Sequence, residues 1–285
     1  MIALLRRRPG LQAGLLILPA ALFLGVFFVA PLFIVLAYSF LERGTYGGVE
    51  WIFTLDNYRR AFDPLYFRTF LRSGYIAIAT TLITLLLGYP LAYFIARKAS
   101  RHSNVLLLGL MIPFWTNFLI RTYAWLTILR TNTGLVNTTL MSLGLIQHPL
   151  PLFGNDFAII LGLVYGWLPD MVLPCYAALS RLDQSLLEAA SDLYAPGRKV
   201  FTRVVWPLTL SGVAAGSILV AIPSWGAFVT PALLGGGRSL MIANIINNQF
   251  LAAHDWPFGA ALSSLMIALM LLATLGYYRL IRGSR

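Results

Sequence analysis

Residues 73–96 read SGYIAIATTLITLLLGYPLAYFIA, a stretch without a single charged side chain. A helix needs about 20 mainly apolar residues to cross the hydrocarbon core of a bilayer, so this stretch predicts a membrane-spanning helix. Five further stretches are mainly apolar and long enough to cross: Leu11–Leu41, Ser103–Ile120 continuing to about Leu129, Phe157–Ser180, Val204–Gly237 and Trp256–Tyr278. The sequence therefore predicts an all-α polytopic membrane protein with six transmembrane helices.

The overall composition supports a chain that is solvated by lipid. Of its 285 residues, 59% are hydrophobic and 11% are charged, with a mean hydropathy of +0.77. Soluble domains carry roughly 25% charged residues. The length suits one domain over residues 1–285. The net charge of +11 is concentrated between the apolar runs and forms no basic helical face with interleaved aromatics, so nucleic acid is not expected as a partner.

The basic residues predict the orientation of the helices. Four segments contain 13 of the 21 basic residues, and six helices place all four segments on one side of the membrane. The positive-inside rule makes this side cytoplasmic, with both termini there. The segments hold Arg6, Arg7 and Arg8; Arg97, Lys98 and Arg101; Arg181, Arg198, Lys199 and Arg203; and Arg279, Arg282 and Arg285. The opposite face then receives Glu42–Arg72, an amphipathic periplasmic segment.

The first apolar run resembles a secretory signal peptide, but it is too long to be one. A signal h-region has roughly 7–15 apolar residues. The uncharged stretch from Leu11 to Leu41 is far longer. We therefore expect a first transmembrane helix that is retained.

Two of the predicted helices contain helix breakers. Pro169, Asp170 and Pro174 interrupt the fourth, and the fifth has an irregular tail after Pro223. Irregular backbone at membrane depth is tolerated where it lines a cavity or is buried in protein. The tail is consistent with such a buried segment, and equally with an ordinary helix end followed by a periplasmic loop.

A loop at residues 181–207 joins the fourth and fifth helices. Leu186–Leu193 consists of good helix formers, Pro196 and Gly197 are expected to stop that helix, and a second short helix leads to Pro207. A helix–turn–helix of this kind presents a compact surface to a partner.

This loop resembles the EAA loop of the permease subunits of type I ABC importers. The family pattern is Glu-Ala-Ala-x-x-x-Gly, followed by a hydrophobic residue and Leu-Pro. The match lies at Glu188, Ala189, Ala190, Asp192, Leu193, Ala195 and Pro207. Tyr194 stands where the family usually has glycine, and Gly197 is a candidate to form the turn instead. The resemblance implies a type I ABC importer permease fold whose loop couples to an ATPase through Glu188, Ala189, Ala190, Asp192, Leu193, Tyr194 and Gly197.

Within that family the chain is most similar to the spermidine/putrescine permeases. The stretches that carry this resemblance are residues 113–125 (PFWTNFLIRTYAW), 168–174 (LPDMVLP), 226–236 (GAFVTPALLGG) and 255–261 (DWPFGAA). It implies import of a small solute across the inner membrane, with a polyamine as the expected solute. Opines, phosphonates and other small polar solutes are alternatives. The implied partners are a second permease, two ATP-binding cassette ATPases and a periplasmic substrate-binding protein.

The sequence itself contains no nucleotide site. Lys98 and Lys199 are its two lysines, and neither follows a Gly-x-x-x-x-Gly pattern, so there is no P-loop. We therefore expect a chain that is not an enzyme and binds no cofactor, with ATP and Mg²⁺ held by the partner ATPase. The three histidines lack metal-ligand spacing. No acid/base cluster suggests a membrane enzyme, and an ion-coupled secondary transporter would need more ionisable residues within its helices.

Candidate solute-pathway residues are the intramembrane carboxylate and the aromatic and amide side chains near the predicted breaks. They are Asp170, Trp115, Asn117, Tyr165 and Trp225. A carboxylate inside a span usually faces a cavity or a partner, and aromatic faces bind cations. Alternatively, Asp170 pairs with an arginine such as Arg121, and the aromatics form the belt at the membrane surface. Glu188 contacts the ATPase, braces the loop, or is merely a solvated acid near a helix start.

Overall fold

The structure, a computed structural model, describes residues 9–237 and 239–283. The chain divides into two compact units: residues 1–63 with 246–269, and residues 64–245 with 270–285. The basic residues Arg6, Arg7, Arg8 and Arg285 lie outside the described residues. A single domain over residues 1–285 remains a prediction.

By length and composition, five helices in the described residues could cross a membrane, and the number is six if a bent pair of helices counts as one span. The prediction of an all-α polytopic fold is confirmed. In chain order we call them span one (Leu16–Tyr38), span two (Pro64–Lys98), span three (Ser103–Trp115 with Phe118–Leu129), span four (Asp156–Ser180), span five (Gly197–Trp225) and span six (Trp256–Tyr277).

The α-helices within and between these spans are numbered in chain order. Short π-helical turns at Gly25–Val29, Phe94–Lys98 and Phe201–Val205 continue spans one, two and five. The α-helices are α1 (Pro9–Leu24), α2 (Ala30–Tyr38), α3 (Asp56–Ala61), α4 (Pro64–Tyr93), α5 (Ser103–Met111), α6 (Phe118–Leu129), α7 (Leu135–Ser142), α8 (Asp156–Ser180), α9 (Gln184–Asp192), α10 (Gly197–Val200), α11 (Trp206–Trp225), α12 (Val229–Leu234), α13 (Ile242–Leu251) and α14 (Trp256–Gly283).

Span two begins at Pro64, well before the uncharged run that starts at Ser73. The additional turns contain Arg72, whose guanidinium donates to the carboxylate of Asp156 and, at 2.8 Å, to Ser239 Oγ. Pairing lowers the cost of keeping a charge near the end of a span. An uncharged run therefore underestimates the length of a helix when a charge near the helix end is paired.

Span three is broken, whereas the sequence predicts a continuous helix. The axes of its two parts differ by 85°. A 3₁₀ turn at Ile112–Trp115 ends the first part, and Thr116 is extended. The side chain of Asn117 accepts a hydrogen bond from the N–H of Leu119 at 2.8 Å and caps α6. Asn is a preferred N-cap residue because its side-chain oxygen satisfies an N–H that has no helical partner.

Span four is uninterrupted, so the predicted interruption at Pro169, Asp170 and Pro174 is wrong. All three residues lie within α8, which runs from Asp156 to Ser180. Each proline removes one helical hydrogen bond, but packed neighbours make such losses tolerable inside membranes. Here the neighbours are spans two and five, whose buried residues form a common core with Met171, Val172, Cys175 and Leu179. Cys175 is a free thiol that packs in this core as a small buried side chain.

Part of the tail of span five is buried in the protein. The helix ends at Trp225, and the chain continues as the short helix α12. Thr230, Pro231 and Leu234 of α12 are buried. A Cβ added at Gly162 of span four would lie 2.6 Å from Leu234 Cδ1. The glycine therefore permits the close approach of α12 to span four.

The first unit contains a β-hairpin that the sequence did not predict. Strands β1 (Leu41–Arg43) and β2 (Val49–Phe53) are antiparallel, and Gly47 and Gly48 in the turn have φ of 94° and 82°. The predicted amphipathic segment thus comprises this hairpin, α3 and the start of span two, while span one ends at Tyr38 rather than Leu41.

A buried carboxylate orders the start of span six within the same unit. Asp255 is 1% exposed, pairs with Arg60 at 2.7 Å and accepts from the N–H of Phe258 at 3.2 Å. The Arg60 guanidinium lies 3.9 Å from the centre of the Phe258 ring. The structure thus gives a physical reason for the stretch DWPFGAA, because Asp255 caps α14 and Phe258 covers the paired Arg60.

Candidate coupling loop and solute pathway

The loop at residues 181–207 contains one well-defined helix, α9. Asp183 precedes this helix and accepts from the N–H of Ser185 at 3.0 Å. That bond to the backbone lowers the pKa of the Asp183 carboxyl, which keeps the cap ionised. Acidic caps are favourable at helix N-termini because they face unpaired N–H groups.

The far end of α9 is closed by a Schellman cap. The N–H of Ala195 donates to the carbonyl of Ala190 at 3.2 Å, and the intervening Tyr194 has a φ of 51°. A backbone hydrogen bond between residues five apart, with a left-handed residue between them, satisfies a carbonyl that is left free at the helix end. The left-handed position is usually occupied by glycine, which bears no Cβ.

The turn is therefore formed by Tyr194 itself, and the hypothesis that Gly197 replaces it is wrong. Gly197 has no positive φ and begins α10, with Pro196 as the preceding N-cap residue. The second short helix expected before Pro207 is likewise not separate. It runs through the π-helical turn at Phe201–Val205 into α11, so Pro207 lies in the first turn of that helix.

The loop presents an apolar surface that this chain leaves uncovered. Leu193 is 82% exposed and Tyr194 is 96% exposed, and Leu186 lies two turns before Leu193 on the same side of α9. Glu188, Ala189 and Asp192 are exposed as well, whereas Ala190 is half-buried. Within the described residues, Glu188 has no hydrogen-bond or ion-pair partner, so a brace inside the loop is not formed.

A cavity of about 540 Å³ lies beside the loop. Its walls come from the last turns of span four, the first turns of α11 and the start of the loop. Arg181 and Asp183 contribute charged groups, and Gly212 contributes no side chain. The loop and the adjoining ends of spans four and five thus form one continuous surface with a depression in it.

An aromatic cluster lies at the break of span three. Tyr165 of span four stacks on Phe114 at 5.6 Å and meets Trp125 edge-on at 5.5 Å. The Arg121 guanidinium lies 4.6 Å from the centre of the Phe114 ring. Its Nε and Nη1 atoms are buried and have no hydrogen-bond partner among the described residues. Sequence reasoning proposed Arg121 only as a partner for Asp170 and did not foresee its contact with the ring.

The five predicted pathway residues do not form one site. Tyr165 belongs to the aromatic cluster, Asn117 is a helix cap, and Trp115 projects from the 3₁₀ turn with 75% of its surface exposed. Asp170 is half-buried in span four and has no ion pair among the described residues, so the alternative pair with Arg121 is absent. No cluster of potential metal ligands occurs in the part of the chain that the structure describes.

Trp225 lies in a different place, at the end of α11. It lines a mainly apolar cavity of about 360 Å³ together with residues of spans two and six, including Thr81, Thr274 and Tyr277. The indole N–H of Trp225 is buried and unpaired within the described ranges 9–237 and 239–283.

Comparison with known sequences identifies the family. Residues 88–285 match the family described as binding-protein-dependent transport system inner membrane component. The chain belongs to this family. It is a permease subunit of a type I ABC importer, as the EAA loop predicted, and the alternative of an ion-coupled secondary transporter is wrong.

Relatives of the permease are similar over nearly their whole length. The chain is 44% identical over 254 residues to the spermidine/putrescine transport system permease protein PotB of Escherichia coli, covering 89% of this chain and 92% of PotB. The Haemophilus influenzae PotB is 40% identical over 255 residues, which is 89% of each protein. The inner membrane ABC transporter permease protein YdcU of Escherichia coli is 33% identical over 279 residues, 93% of this chain and 88% of YdcU.

Solved structures confirm the fold of the permease. A chain of a bacterial ABC transporter involved in import of the acidic polysaccharide alginate aligns with a TM-score of 0.74, covering 98% of this chain and 96% of its own length. A second structure, of a bacterial alginate transporter in complex with an alginate pentasaccharide-bound periplasmic protein, gives a TM-score of 0.69 over 96% and 94% of the two chains. Both are 17% identical in sequence, so they bear on the fold alone.

The Schellman cap makes a testable prediction for Tyr194. A left-handed backbone costs a residue with a Cβ roughly 1–2 kcal/mol, and glycine offsets about 0.5–1 kcal/mol of any gain through its greater freedom when unfolded. Tyr194→Gly should therefore stabilise the end of α9 and slow amide hydrogen exchange at Ala195 about two- to fivefold. Ala195→Gly, at an ordinary φ, is the control and should speed exchange. Faster exchange in Tyr194→Gly would show instead that the tyrosine ring stabilises the turn by a contact.

Proposed function

We propose that this permease subunit imports a polyamine, spermidine or putrescine, across the bacterial inner membrane. The observation that carries the proposal is the similarity to PotB proteins at 44% and 40% identity, which extends over about nine-tenths of each chain. Similarity over that length includes the pathway-forming spans as well as the coupling loop. The alginate transporters share the fold at 17% identity and lend no support to a saccharide.

Energy for transport comes, in this proposal, from partner ATPases that bind ATP and Mg²⁺. The exposed apolar surface of Leu186, Leu193 and Tyr194 supports such a contact, because burying it against a cleft would remove it from water. Glu188 lies on the same short helix without a partner in the described residues. Closure of two ATPases would displace α9 and, with it, the loop ends of spans four and five.

The remaining proposed partners are a second, non-identical permease and a periplasmic substrate-binding protein. Within the first unit none of the residues of span one is buried, so its apolar surface is available to lipid or to another membrane subunit. The family description names a binding-protein-dependent system, and one solved neighbour was crystallised with a periplasmic protein. The solute would thus be delivered on the face opposite the coupling loop.

The proposed orientation places the loop and both termini in the cytoplasm. It predicts that cysteines replacing Arg101 or Lys199, which are both exposed, resist a membrane-impermeant thiol reagent in intact cells. A cysteine at Tyr46, which is fully exposed at the hairpin tip, should react readily. The native Cys175 is buried and should contribute little background. Lysed cells serve as the control for reactivity, and the reverse labelling pattern would refute the orientation.

Docking of α9 predicts the effect of a charge reversal. Glu188→Lys should reduce solute uptake at least about tenfold, because a reversed charge at a packed contact remains unpaired. The permease should still reach the membrane, since Glu188 is exposed and has no partner in the described residues. Glu188→Gln preserves the shape of the side chain and is the matched control, with a smaller loss expected. Normal uptake by Glu188→Lys would show that the acid is only solvated.

The proposed solute is tested by uptake of labelled spermidine into vesicles that contain the reconstituted complex. Opines and aminophosphonates serve as competitors. If the Asp170 carboxylate attracts an ammonium group, Asp170→Asn should raise the KM for spermidine about tenfold, with a smaller effect on kcat. Asp56→Asn, an exposed acid outside the spans, is the control. Transport of an anionic solute and no polyamine would refute the proposal, whereas spermidine uptake unaffected by Asp170→Asn would remove only Asp170 from the site.

A further inference from the structure

The coupling loop is connected by the chain to spans four and five, but it also contacts span two. The contacts come from both arms of the loop. The first arm is the segment between span four and α9, and the second arm is the segment from α10 to the first turns of α11. Span two runs past both of them on its way to Lys98.

A single arginine makes the contact with the first arm. Arg97 lies in the π-helical turn that ends span two, and it is half-buried. Its Nη2 donates to the carbonyl of Leu182 at 3.1 Å, and its Nη1 donates to Gln184 Oε1 at 3.2 Å. Leu182 follows the end of span four, and Gln184 is the first residue of α9. The fork of the guanidinium therefore spans the junction between a transmembrane helix and the loop helix.

Aromatic packing makes the contact with the second arm. Tyr89 of span two meets Trp206 at 5.1 Å and Phe201 at 6.0 Å, in both cases edge-on. Tyr93, one turn later, meets Phe201 at 6.2 Å. The Tyr89 hydroxyl is hydrogen-bonded to Thr209 Oγ1 at 2.8 Å. The second arm therefore packs against the buried core that spans two and five share.

The two contacts differ in what their removal would do to the core. Removing an aromatic ring from the second arm would leave a cavity in the core. Arg97 is half-buried and its contact is polar, so its loss removes two hydrogen bonds rather than a ring from the core. Arg97 is thus the point at which span two can be separated from α9 while the fold is kept.

We propose that Arg97 is a positioning residue of the coupling step, which links α9 to span two so that displacement of the loop moves three spans rather than the two it is covalently joined to. This inference rests on the proposed coupling of α9 to an ATPase. A guanidinium suits the role because its planar fork holds two acceptors in a fixed relation, which an ammonium on a flexible stem does not. Both acceptors belong to the short segment that would move.

The experiment compares Arg97→Gln with the wild type in the reconstituted complex of permeases, ATPases and binding protein. We expect the complex to assemble and to retain its basal ATP hydrolysis, measured without the binding protein, within about twofold, with spermidine uptake per ATP hydrolysed by the complete complex reduced about tenfold. A residue that only supports the fold would lower assembly, hydrolysis and uptake together. The ratio of uptake to hydrolysis therefore separates positioning from stability.

Two further variants provide the controls. Lys98→Gln removes the neighbouring charge, which is exposed and has no partner among the described residues, and should leave the ratio unchanged. Arg97→Lys keeps the charge at the end of span two but cannot bond both acceptors at once, and should give an intermediate ratio. If Arg97→Gln fails to assemble, Arg97→Lys decides the question by the same ratio.

An unchanged ratio in Arg97→Gln would overturn the proposal, and so would loss of assembly in both Arg97 variants. A wild-type complex that takes up no spermidine would instead contradict the proposed solute. The comparison would then use the stimulation of ATP hydrolysis by the binding protein, a signal that must cross the same spans. That stimulation should be lost in Arg97→Gln and kept in Lys98→Gln, and equal stimulation in both would overturn the proposal.

Discussion

The close approach of span four to spans two and five is the constraint on which the rest of the permease depends. Met171 lies against two glycines, since a Cβ at Gly88 would be 3.0 Å from its Cγ and a Cβ at Gly216 would be 2.8 Å from its Sδ. At Gly212, a Cβ would lie 2.6 Å from both the Pro174 carbonyl oxygen and Ala178 Cβ. Lipid offers helices no hydrophobic reason to associate, so small residues that allow tight packing take over that role.

This packing sets the position of both functional regions. Span four carries Tyr165 and Asp170 in its middle, and the coupling loop begins where the span ends. Tight packing along its length joins span four to its neighbours within the bundle, whereas the loop beyond the end of the span is joined to span two by the hydrogen bonds of Arg97. The prolines of span four are compatible with this tight packing, because the neighbouring helices hold the helix in place where its own hydrogen bonds are missing.

The sequence alone was sufficient for the family, the position of the loop and the approximate positions of the spans. Apolar runs report the cost of exposing polar groups to lipid, and that cost does not depend on tertiary structure. The features that it could not show depend on contacts between residues that are far apart in the chain. The early start of span two requires the Arg72–Asp156 pair, and the burial of α12 requires a glycine at 162 on another helix. The break of span three had a local signal, namely Pro113 followed by the capping residue Asn117, which the hydrophobic pattern outweighed.

The structure also gives a physical reason for the glycine of the EAA pattern. The glycine position of the pattern, which Tyr194 occupies here, is the left-handed residue of a helix C-cap. This explains the preference for glycine, and Tyr194 must adopt the same left-handed conformation in its place. Local reasoning from helix formers and breakers placed the turn at Pro196 and Gly197, because tyrosine gives no signal for a positive φ. The substitution adds a fully exposed aromatic ring to the loop surface at the cost of backbone strain.

The charges inside the spans restrict how a cation could pass. Arg121 occupies one face of the Phe114 ring, so that face is closed to a solute ammonium while the guanidinium remains there. Asp170 lies five residues beyond Tyr165 on span four, about 7.5 Å further along the helix axis. Screening acts over roughly 8–10 Å in water and less effectively inside protein, so the charge of Arg121 is felt along this stretch of span four. For the polyamine proposed as solute, the carboxylate is therefore a better candidate contact than the rings at the break of span three, whereas the excess positive charge of the chain lies mostly at the helix ends.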